Sequence, residues 1–181
     1  MLIFVLLLQI ELNKKMKTIL ITLTAAFFLS QAAYSQTEKE QITAIDNAKL
    51  AIDNNMGNYQ KTKTYKEGAN SKSVYKDGNE LEMVTIDIID KNVDKKVEWY
   101  FVNGGLIYSG QVWTNLKTGK IIDNEKTYVN NNQALCWIKT NNALVDRSSE
   151  EFIDMNASLM AYAAQLEKDS LKQTVVLASI K

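Results

Sequence analysis

Histidine and proline are absent from the chain, and cysteine occurs once, at Cys136. Without histidine the chain lacks the commonest general base near neutral pH and the commonest transition-metal ligand. A Ser–His–Asp triad and a His/Cys zinc site are therefore excluded, and a single thiol cannot form an internal disulfide. We expect Cys136 to be a small structural side chain, and we expect neither a cofactor nor a metal ion.

Arginine is almost absent, because Arg147 is the single arginine among 21 basic residues. The basic residues are balanced by 21 acidic ones, so no net field favours an anionic partner. Recognition of phosphates and base edges depends strongly on the guanidinium fork of arginine. We therefore expect no nucleic-acid partner.

Residues 1–36 have the order of a secretory signal peptide. Lysines form a positive region before an apolar run over residues 18–29, and small, mildly polar residues follow up to residue 36. Cleavage is expected near Ser35–Gln36, with Ala32–Ala33 as an earlier alternative. Met16 is the natural start of such a signal, which puts residues 1–15 upstream of it.

The apolar run is shorter than the roughly 20 residues that a membrane-spanning helix needs. A cleaved signal is therefore favoured over a membrane anchor, and no membrane span is expected after cleavage. The bacterial lipoprotein alternative needs a cysteine at the cleavage point, whereas Cys136 lies far downstream. The expected location is periplasmic or secreted.

The remaining chain predicts one α+β domain over residues 37–173 and a short tail over residues 174–181. Thr37 and Glu40 have the spacing of a helix-capping box, and apolar residues follow at helical spacing up to Gly57. Ser148 and Glu151 repeat the capping pattern before a second apolar stripe that runs to about Lys172.

The middle of the chain alternates apolar and polar residues, which predicts half-buried strands. Asn103–Gly104 is typical of a tight type I′ turn. Placing the turn there pairs Phe101 with Leu106 and Trp99 with Tyr108, so that all four side chains share one face. We predict an antiparallel meander of about six or seven strands, with the N-terminal and C-terminal helices packed on one side of the sheet.

The aromatic–turn–leucine pattern occurs three times, with aromatic residues at Tyr75, Phe101 and Tyr128. The best copy is the segment 100–106, and Asn131–Asn132 replaces the expected glycine in the copy after Tyr128. These segments resemble the Tyr-x-x-Gly-x-Leu units of MORN-type and MORN-variant repeats. The resemblance implies stacked β-hairpins and a role in interaction or scaffolding.

Asp90, Asn92 and Asp94 have the spacing that opens a calcium-binding loop. Lys95 replaces the glycine of such a loop and Phe101 its bidentate glutamate. We therefore predict a polar turn at this point.

Three kinds of function remain open. The first is a non-catalytic binding module of the cell envelope, in which an uncovered strip with Tyr100 and Ile107 binds a protein, peptide or glycan. The second is a hydrolase acting on glycans through carboxylates that meet across the sheet; the candidates are Glu98, Asp123 and Glu125. The third is a structural envelope protein that assembles through its sheet edges.

Overall fold

The computed structural model describes residues 37–65 and 70–178. The predicted signal peptide, residues 1–36, and the last three residues of the predicted tail lie outside the described residues. The chain divides into two units, Met1–Glu40 and Gln41–Lys181. The described part of the first unit is the start of the N-terminal helix, and the second contains the sheet.

Two long helices flank a run of strands. Helix α1 spans Glu38–Asn55 and continues into a 3₁₀ turn at Met56–Asn58, and helix α2 spans Glu150–Ala178. The strands between them are β1 Gln60–Tyr65, β2 Ser71–Asp77, β3 Glu80–Asp90, β4 Val93–Val102, β5 Gly105–Asn115, β6 Ile121–Asn130, β7 Gln133–Lys139 and β8 Ala143–Leu144.

The described strands form one antiparallel meander in the order β1 to β8. This confirms the α+β class, the meander and the helices at both ends, but the sheet has eight strands where about six or seven were predicted. The two edge strands explain the difference. Strand β1 has the sequence QKTKTY, which lacks an apolar face, and β8 is two residues long and shows no period.

The first turn of each helix is capped by side chains. The predicted capping box is confirmed in α1, because Thr37 N donates to Glu40 Oε2 (2.9 Å) and Glu40 N donates to Thr37 Oγ1 (3.3 Å). In α2 the cap is Ser149, whose Oγ accepts from Phe152 N (3.2 Å), so the prediction of Ser148 was one residue early. Helix α2 also runs past the predicted end at Lys172, so residues 174–178 are helical.

The hairpin at Asn103–Gly104 is confirmed, with φ angles of 51° and 75° at the two turn residues. Phe101 pairs with Leu106 as predicted, but the register then shifts and Tyr100, not Trp99, pairs with Tyr108. A β-bulge causes the shift, because β5 has one extra residue between Leu106 and Tyr108. From Tyr108 onwards, each residue of β5 therefore points to the face opposite the one that simple alternation predicts. The prediction that Tyr108 shares a face with Trp99, Phe101 and Leu106 is wrong.

The same bulge recurs in the other two hairpins of the repeated pattern. The register shifts after Tyr75 in β2 and after Tyr128 in β6, so Tyr75 pairs with Met83 and Tyr128 with Cys136. The structurally equivalent aromatic residues are therefore Tyr75, Tyr100 and Tyr128. Cross-strand pairing links them into one continuous row across the sheet, which we call the tyrosine row: Tyr75, Met83, Tyr100, Tyr108, Tyr128 and Cys136.

The two helices pack on opposite faces of the sheet. Ile45 and Ile52 of α1 are buried against the tyrosine row, whereas Ala163 and Leu166 of α2 are buried with the apolar residues of the other face. The expectation that both helices cover one side is wrong, because the bulged hairpins give each face an apolar band of its own. Among the described helices, none is long and apolar enough to span a membrane.

Candidate binding site beside helix α1

The predicted open strip at Tyr100 and Ile107 is covered by α1. Tyr100 is 1% exposed and its hydroxyl donates to Asp53 Oδ1 of α1 at 2.7 Å. Ile107 packs, partly buried, against the same cluster. The prediction that these two side chains are offered to a ligand is therefore wrong, because it left α1 on the other face.

The three candidate catalytic carboxylates do not meet. Glu98 pairs in register with Gly110 on the α1 face, whereas Asp123 and Glu125 point to the α2 face. There Asp123 accepts from the Thr140 hydroxyl, and Glu125 accepts from Trp137 Nε1 at 3.1 Å. The pair of facing carboxylates that glycoside hydrolysis requires is not formed by these residues.

The two outer strands are poor surfaces for edge-to-edge assembly. Strand β8 consists of two residues, and β1 carries Lys61, which lies over the Tyr75 ring at 5.0 Å from its centroid. Very short edge strands and edge lysines are features by which natural sheets avoid pairing with another chain.

Polar residues occupy the α1 face next to the tyrosine row. The next row of cross-strand partners on this face is Ser73, Thr85, Glu98, Gly110 and Lys126. The row after it is Ser71, Asp87, Lys96, Val112 and Asn124. Ser71, Ser73 and Thr85 are buried on β2 and β3. The side chains of these rows on β4 to β6 are exposed or half-buried, as expected on the wet face of an antiparallel sheet, so that part of the face is available for binding.

A cleft of about 450 Å³ lies where α1 meets these polar rows, and we call it the α1 cleft. Its main side chains are Asp46, Lys49, Lys96, Glu98, Tyr108 and Lys126. The cleft is also lined by Gly110, Gln111, Val112, Asn124, Glu125 and Tyr128. Helix α1 and strands β4, β5 and β6 therefore all contribute to one concave site, as small-ligand and peptide sites commonly require.

Lys49 joins the helix to the sheet at one end of the cleft. Its Nζ lies 3.0 Å from Asp53 Oδ2 and 3.7 Å from Glu98 Oε1. The same ammonium lies 4.4 Å from the centroid of the Tyr100 ring, an arrangement in which the ring face attracts the cation. The Lys49 ammonium is thus shared between the Asp53 and Glu98 carboxylates.

The tyrosine hydroxyls of the row differ in their partners. Tyr100 donates to Asp53, and Tyr128 donates to Asp46 Oδ1 at 3.1 Å. Tyr108 is 5% exposed, yet its hydroxyl has no hydrogen-bond partner among the described residues. No fully enclosed side-chain oxygen in the described part of the chain lacks a partner, so the Tyr108 oxygen must reach open space, and Tyr108 lines the α1 cleft.

Burial keeps these tyrosines in the neutral, donating form. It raises the pKa of Tyr100 well above the ordinary value, and the hydrogen bond to Asp53 raises this pKa further. Burial and the nearby Glu98 carboxylate likewise raise the pKa of Tyr108. Burial, together with Asp46, raises the pKa of Tyr128 to about 12.

Lys96 and Lys126 stand on either side of strand β5 without an ion-pair partner among the described residues. Asp87 faces Lys96 in the register but accepts from Ser71 Oγ at 3.3 Å. Lys126 pairs with Gly110 of β5, whereas Lys96 pairs with Val112, so the two lysines are separated by two strand spacings, about 10 Å, and by two residues along the strands.

Sequence reasoning did not select Lys49, Lys96, Lys126 or the Tyr108 hydroxyl. Lysines on the polar face of a strand do not stand out in the sequence as binding residues. The one sequence feature that could have pointed to this site is Gly110, because a glycine inside a strand often marks a place where another group comes close to the backbone. In the described part of the chain, no group of three or more acidic or cysteine side chains is placed to hold a metal ion.

In comparisons with known proteins, no family model, no curated protein and no solved structure matches this chain. The resemblance of its hairpins to MORN-type repeats stays a prediction that rests on the sequence motif.

Proposed function

We propose that this protein is an exported, non-catalytic binding module of the cell envelope, and that its ligand binds in the α1 cleft. The observation that carries the proposal is the Tyr108 hydroxyl, a donor that is almost buried, lacks a partner and lines this cleft. Because this hydroxyl reaches the open space of the cleft and no acceptor of the protein engages it, it is available to donate a hydrogen bond to a bound ligand. The amino-terminal sequence pattern supports export.

Binding is favoured over catalysis by the way the charged groups are held. Glu98 is engaged by Lys49, and Asp46 accepts from Tyr128, so neither carboxylate is left as a free base. Asp123 accepts from the Thr140 hydroxyl, and Glu125, which also lines the cleft, accepts from Trp137 Nε1. What remains unpaired in the α1 cleft is a set of hydrogen-bond donors, which suits recognition of a ligand.

The site is tested by capture of partners from envelope extract with a bead-linked chain starting at Thr37. We expect specific partners that Asn124→Trp no longer recovers, because the indole fills the cleft. The matched control is Asn79→Trp, at an exposed turn away from the cleft. Equal recovery by Asn124→Trp and the unsubstituted protein contradicts the proposed site, provided that circular dichroism shows both folded.

Export is tested separately by expressing the full chain in a Gram-negative host. Mass spectrometry of the periplasmic fraction should find a chain that begins close to Gln36 or Thr37. A protein that keeps residues 17–35 and stays in the cytoplasm contradicts the export proposal, without bearing on the cleft.

A further inference from the structure

We propose that a second pocket, on the α2 face of the sheet, binds the free amino terminus of a peptide whose first residue is apolar. In this complex Glu167 of α2 holds the α-ammonium group, and the apolar side chain enters the pocket beside it. The inference goes beyond the proposed function, because this pocket shares no lining residue with the α1 cleft.

The pocket lies where helix α2 passes the hairpin turns at Asn103–Gly104 and Asn131–Asn132, and we call it the α2 pocket. Its volume is about 330 Å³. Ligand sites in proteins usually start at about this size, so the pocket suits a single side chain or a small molecule.

The inner part of the α2 pocket is apolar. Phe101, Leu106 and Ala163 line it, and all three are buried members of the apolar cluster on the α2 face. The wall is completed by Met160, which packs partly buried against the same cluster, and by the exposed Ala164. An apolar group that enters the pocket leaves water for these side chains, which favours its binding through the hydrophobic effect.

Glu167 is the one charged residue among the described residues that line the pocket. It is half-buried, and its carboxylate forms neither a hydrogen bond nor an ion pair in the described part of the chain. Because no enclosed side-chain oxygen of the described residues lacks a partner, both carboxylate oxygens reach open space. Lys76, the buried cation on the same face, is directed to the Ser170 carbonyl oxygen instead. The pocket therefore favours a cationic ligand.

The carboxylate lies beside the turn, at the entrance of the pocket. A Cβ atom placed on Gly104 would lie 2.7 Å from Glu167 Oε1, so this oxygen rests against the turn glycine. Asn132 lines the pocket from the neighbouring turn, where it is exposed, and its amide oxygen can accept a second hydrogen bond from an ammonium group. An ammonium group bound here stays close to water while the group attached to it points inward.

An apolar interior with an anionic entrance favours an amino terminus over a lysine side chain. The ammonium of a lysine is at the far end of its stem and would enter the apolar interior first, where a charge is costly. In an amino-terminal residue the ammonium and the side chain are bonded to the same carbon atom, so the charge can stay at the entrance. A free amino acid would bring its own carboxylate close to Glu167, and the described lining holds no cation to bind it.

The test is titration of the purified protein with leucyl-glycine amide, followed by two-dimensional NMR spectroscopy. The comparison ligands are the same peptide with an acetylated amino terminus, glycyl-glycine amide and free leucine. The acetylated peptide should bind at least about tenfold more weakly, because it has lost the charge-assisted hydrogen bond to Glu167. Glycyl-glycine amide should also bind at least about tenfold more weakly, because it has no side chain to bury.

The pH dependence of binding is a second measurement on the same ligands. The affinity for leucyl-glycine amide should fall as pH rises above about 8, because the α-ammonium group then loses its proton. The acetylated peptide has no such group, so its affinity should not change over this interval.

Two variants test the pocket. Glu167→Gln should weaken binding of leucyl-glycine amide about tenfold and remove its advantage over the acetylated peptide. Its matched control is Glu150→Gln, because Glu150 is an exposed residue of the same helix outside the pocket. Ala164→Phe should abolish binding by filling the pocket, and its matched control is Ala161→Phe, which is exposed on α2 outside the pocket. Neither control should change the affinity.

The inference is overturned if leucyl-glycine amide does not bind or if its acetylated form binds equally well. It is also overturned if either pocket variant binds normally. Stronger binding of free leucine overturns the choice of a peptide amino terminus. Asn124→Trp, which fills the α1 cleft, should bind like the unsubstituted protein. Loss of binding in that variant would place the peptide in the α1 cleft and contradict the α2 pocket, whereas failure of the α1 cleft as a site leaves this inference unaffected.

Discussion

Gly110 lies two residues after Tyr108 on strand β5, and the ring of Tyr108 occupies the space beside this glycine. A Cβ atom at Gly110 would lie 2.8 Å from the Tyr108 hydroxyl oxygen and 2.9 Å from a ring carbon. The aromatic ring thus covers the strand glycine, and the glycine in turn leaves room for the ring and for the mouth of the α1 cleft.

The variant Gly110→Ala should therefore lower stability and move the Tyr108 ring. Adding a methyl group to a packed site typically costs about 1–3 kcal/mol. Urea denaturation measures the loss, and the matched control is Gly57→Ala, whose added methyl meets no atom within 4 Å. If Gly110→Ala is as stable as Gly57→Ala, the close approach of Tyr108 to Gly110 is not a packing constraint.

Alkaline pH should destabilise the protein through the tyrosine row. Burial raises the pKa of Tyr100, Tyr108 and Tyr128 above the ordinary value of 10.0, and that of Tyr128 to about 12. The unfolded chain loses these protons near pH 10 while the folded chain keeps them, so their contribution is complete below pH 10 and falls as pH rises towards 12.

Two measurements check this sign. The urea midpoint should fall as pH rises from 10 towards 12, and ultraviolet absorbance should show part of the tyrosines ionising only when the protein unfolds. The double variant Y100F/Y128F should have a shallower fall than Tyr75→Phe, because it removes two of the hydroxyls whose raised pKa causes the fall. A urea midpoint that does not change over this interval contradicts the burial of the row.

Local sequence signals were sufficient for the turns and helix starts but not for the facing of the strands. Asn103–Gly104 specifies a turn because both residues accept positive φ, and the Thr37–Glu40 box specifies a helix start by reciprocal hydrogen bonds. The residue at the bulge, Ile107, is of a type that also occurs in regular strands, so the sequence does not mark the bulge. Alternation counted from Leu106 therefore placed Tyr108 on the same face as Leu106, which is the wrong face. Without that reversal, the tyrosine row and the cleft could not be derived.

Comparison of the three hairpins contained the missing information. Tyr75, Tyr100 and Tyr128 each pair with the residue eight positions later, namely Met83, Tyr108 and Cys136. The predicted repeat took Phe101 in place of Tyr100 as its aromatic residue. With Tyr100 the three loops have equal length, and the shared bulge follows from the shared spacing.

The turn at Asn131–Asn132 should be improved by glycine. Both residues have positive φ, 51° and 58°, at positions where the equivalent hairpin has Asn103–Gly104. Glycine adopts this conformation without steric cost, so Asn132→Gly should raise the free energy of unfolding by about 0.5–1 kcal/mol. Thermal unfolding measures the gain.

The companion experiment is Gly104→Ala, which removes the glycine at the equivalent position of the other hairpin. It should destabilise the protein, because φ at Gly104 is +75° and an added Cβ would lie 2.7 Å from Glu167 Oε1 of α2. The double variant with Glu167→Ala should recover the part of the loss that comes from this contact. Loss of stability in Asn132→Gly would show that the asparagine side chain contributes more than the strain it carries.

Lys76 is a buried cation between the sheet and α2, and its charge should be dispensable. It occupies the hairpin position that Phe101 and Val129 fill with apolar side chains, and its Nζ donates to the Ser170 carbonyl oxygen. Burial lowers the pKa of Lys76, which means that the protein disfavours the charged form. Lys76→Met keeps the length of the stem and removes the ammonium, so its free energy of unfolding should match or exceed that of the unsubstituted protein.

Lys76→Ala also removes the stem, and by leaving a cavity it should cost about 2–3 kcal/mol. The pH dependence of stability gives a second test. Because the pKa of Lys76 is lower in the folded chain than in the unfolded chain, the stability of the unsubstituted protein should rise as pH approaches 10.5. Lys76→Met should lose this rise. Urea denaturation between neutral pH and pH 10 distinguishes the two substitutions. A Lys76→Met variant as unstable as Lys76→Ala would mean that the bond to Ser170 holds α2 on the sheet, and that the ammonium rather than its stem anchors this helix.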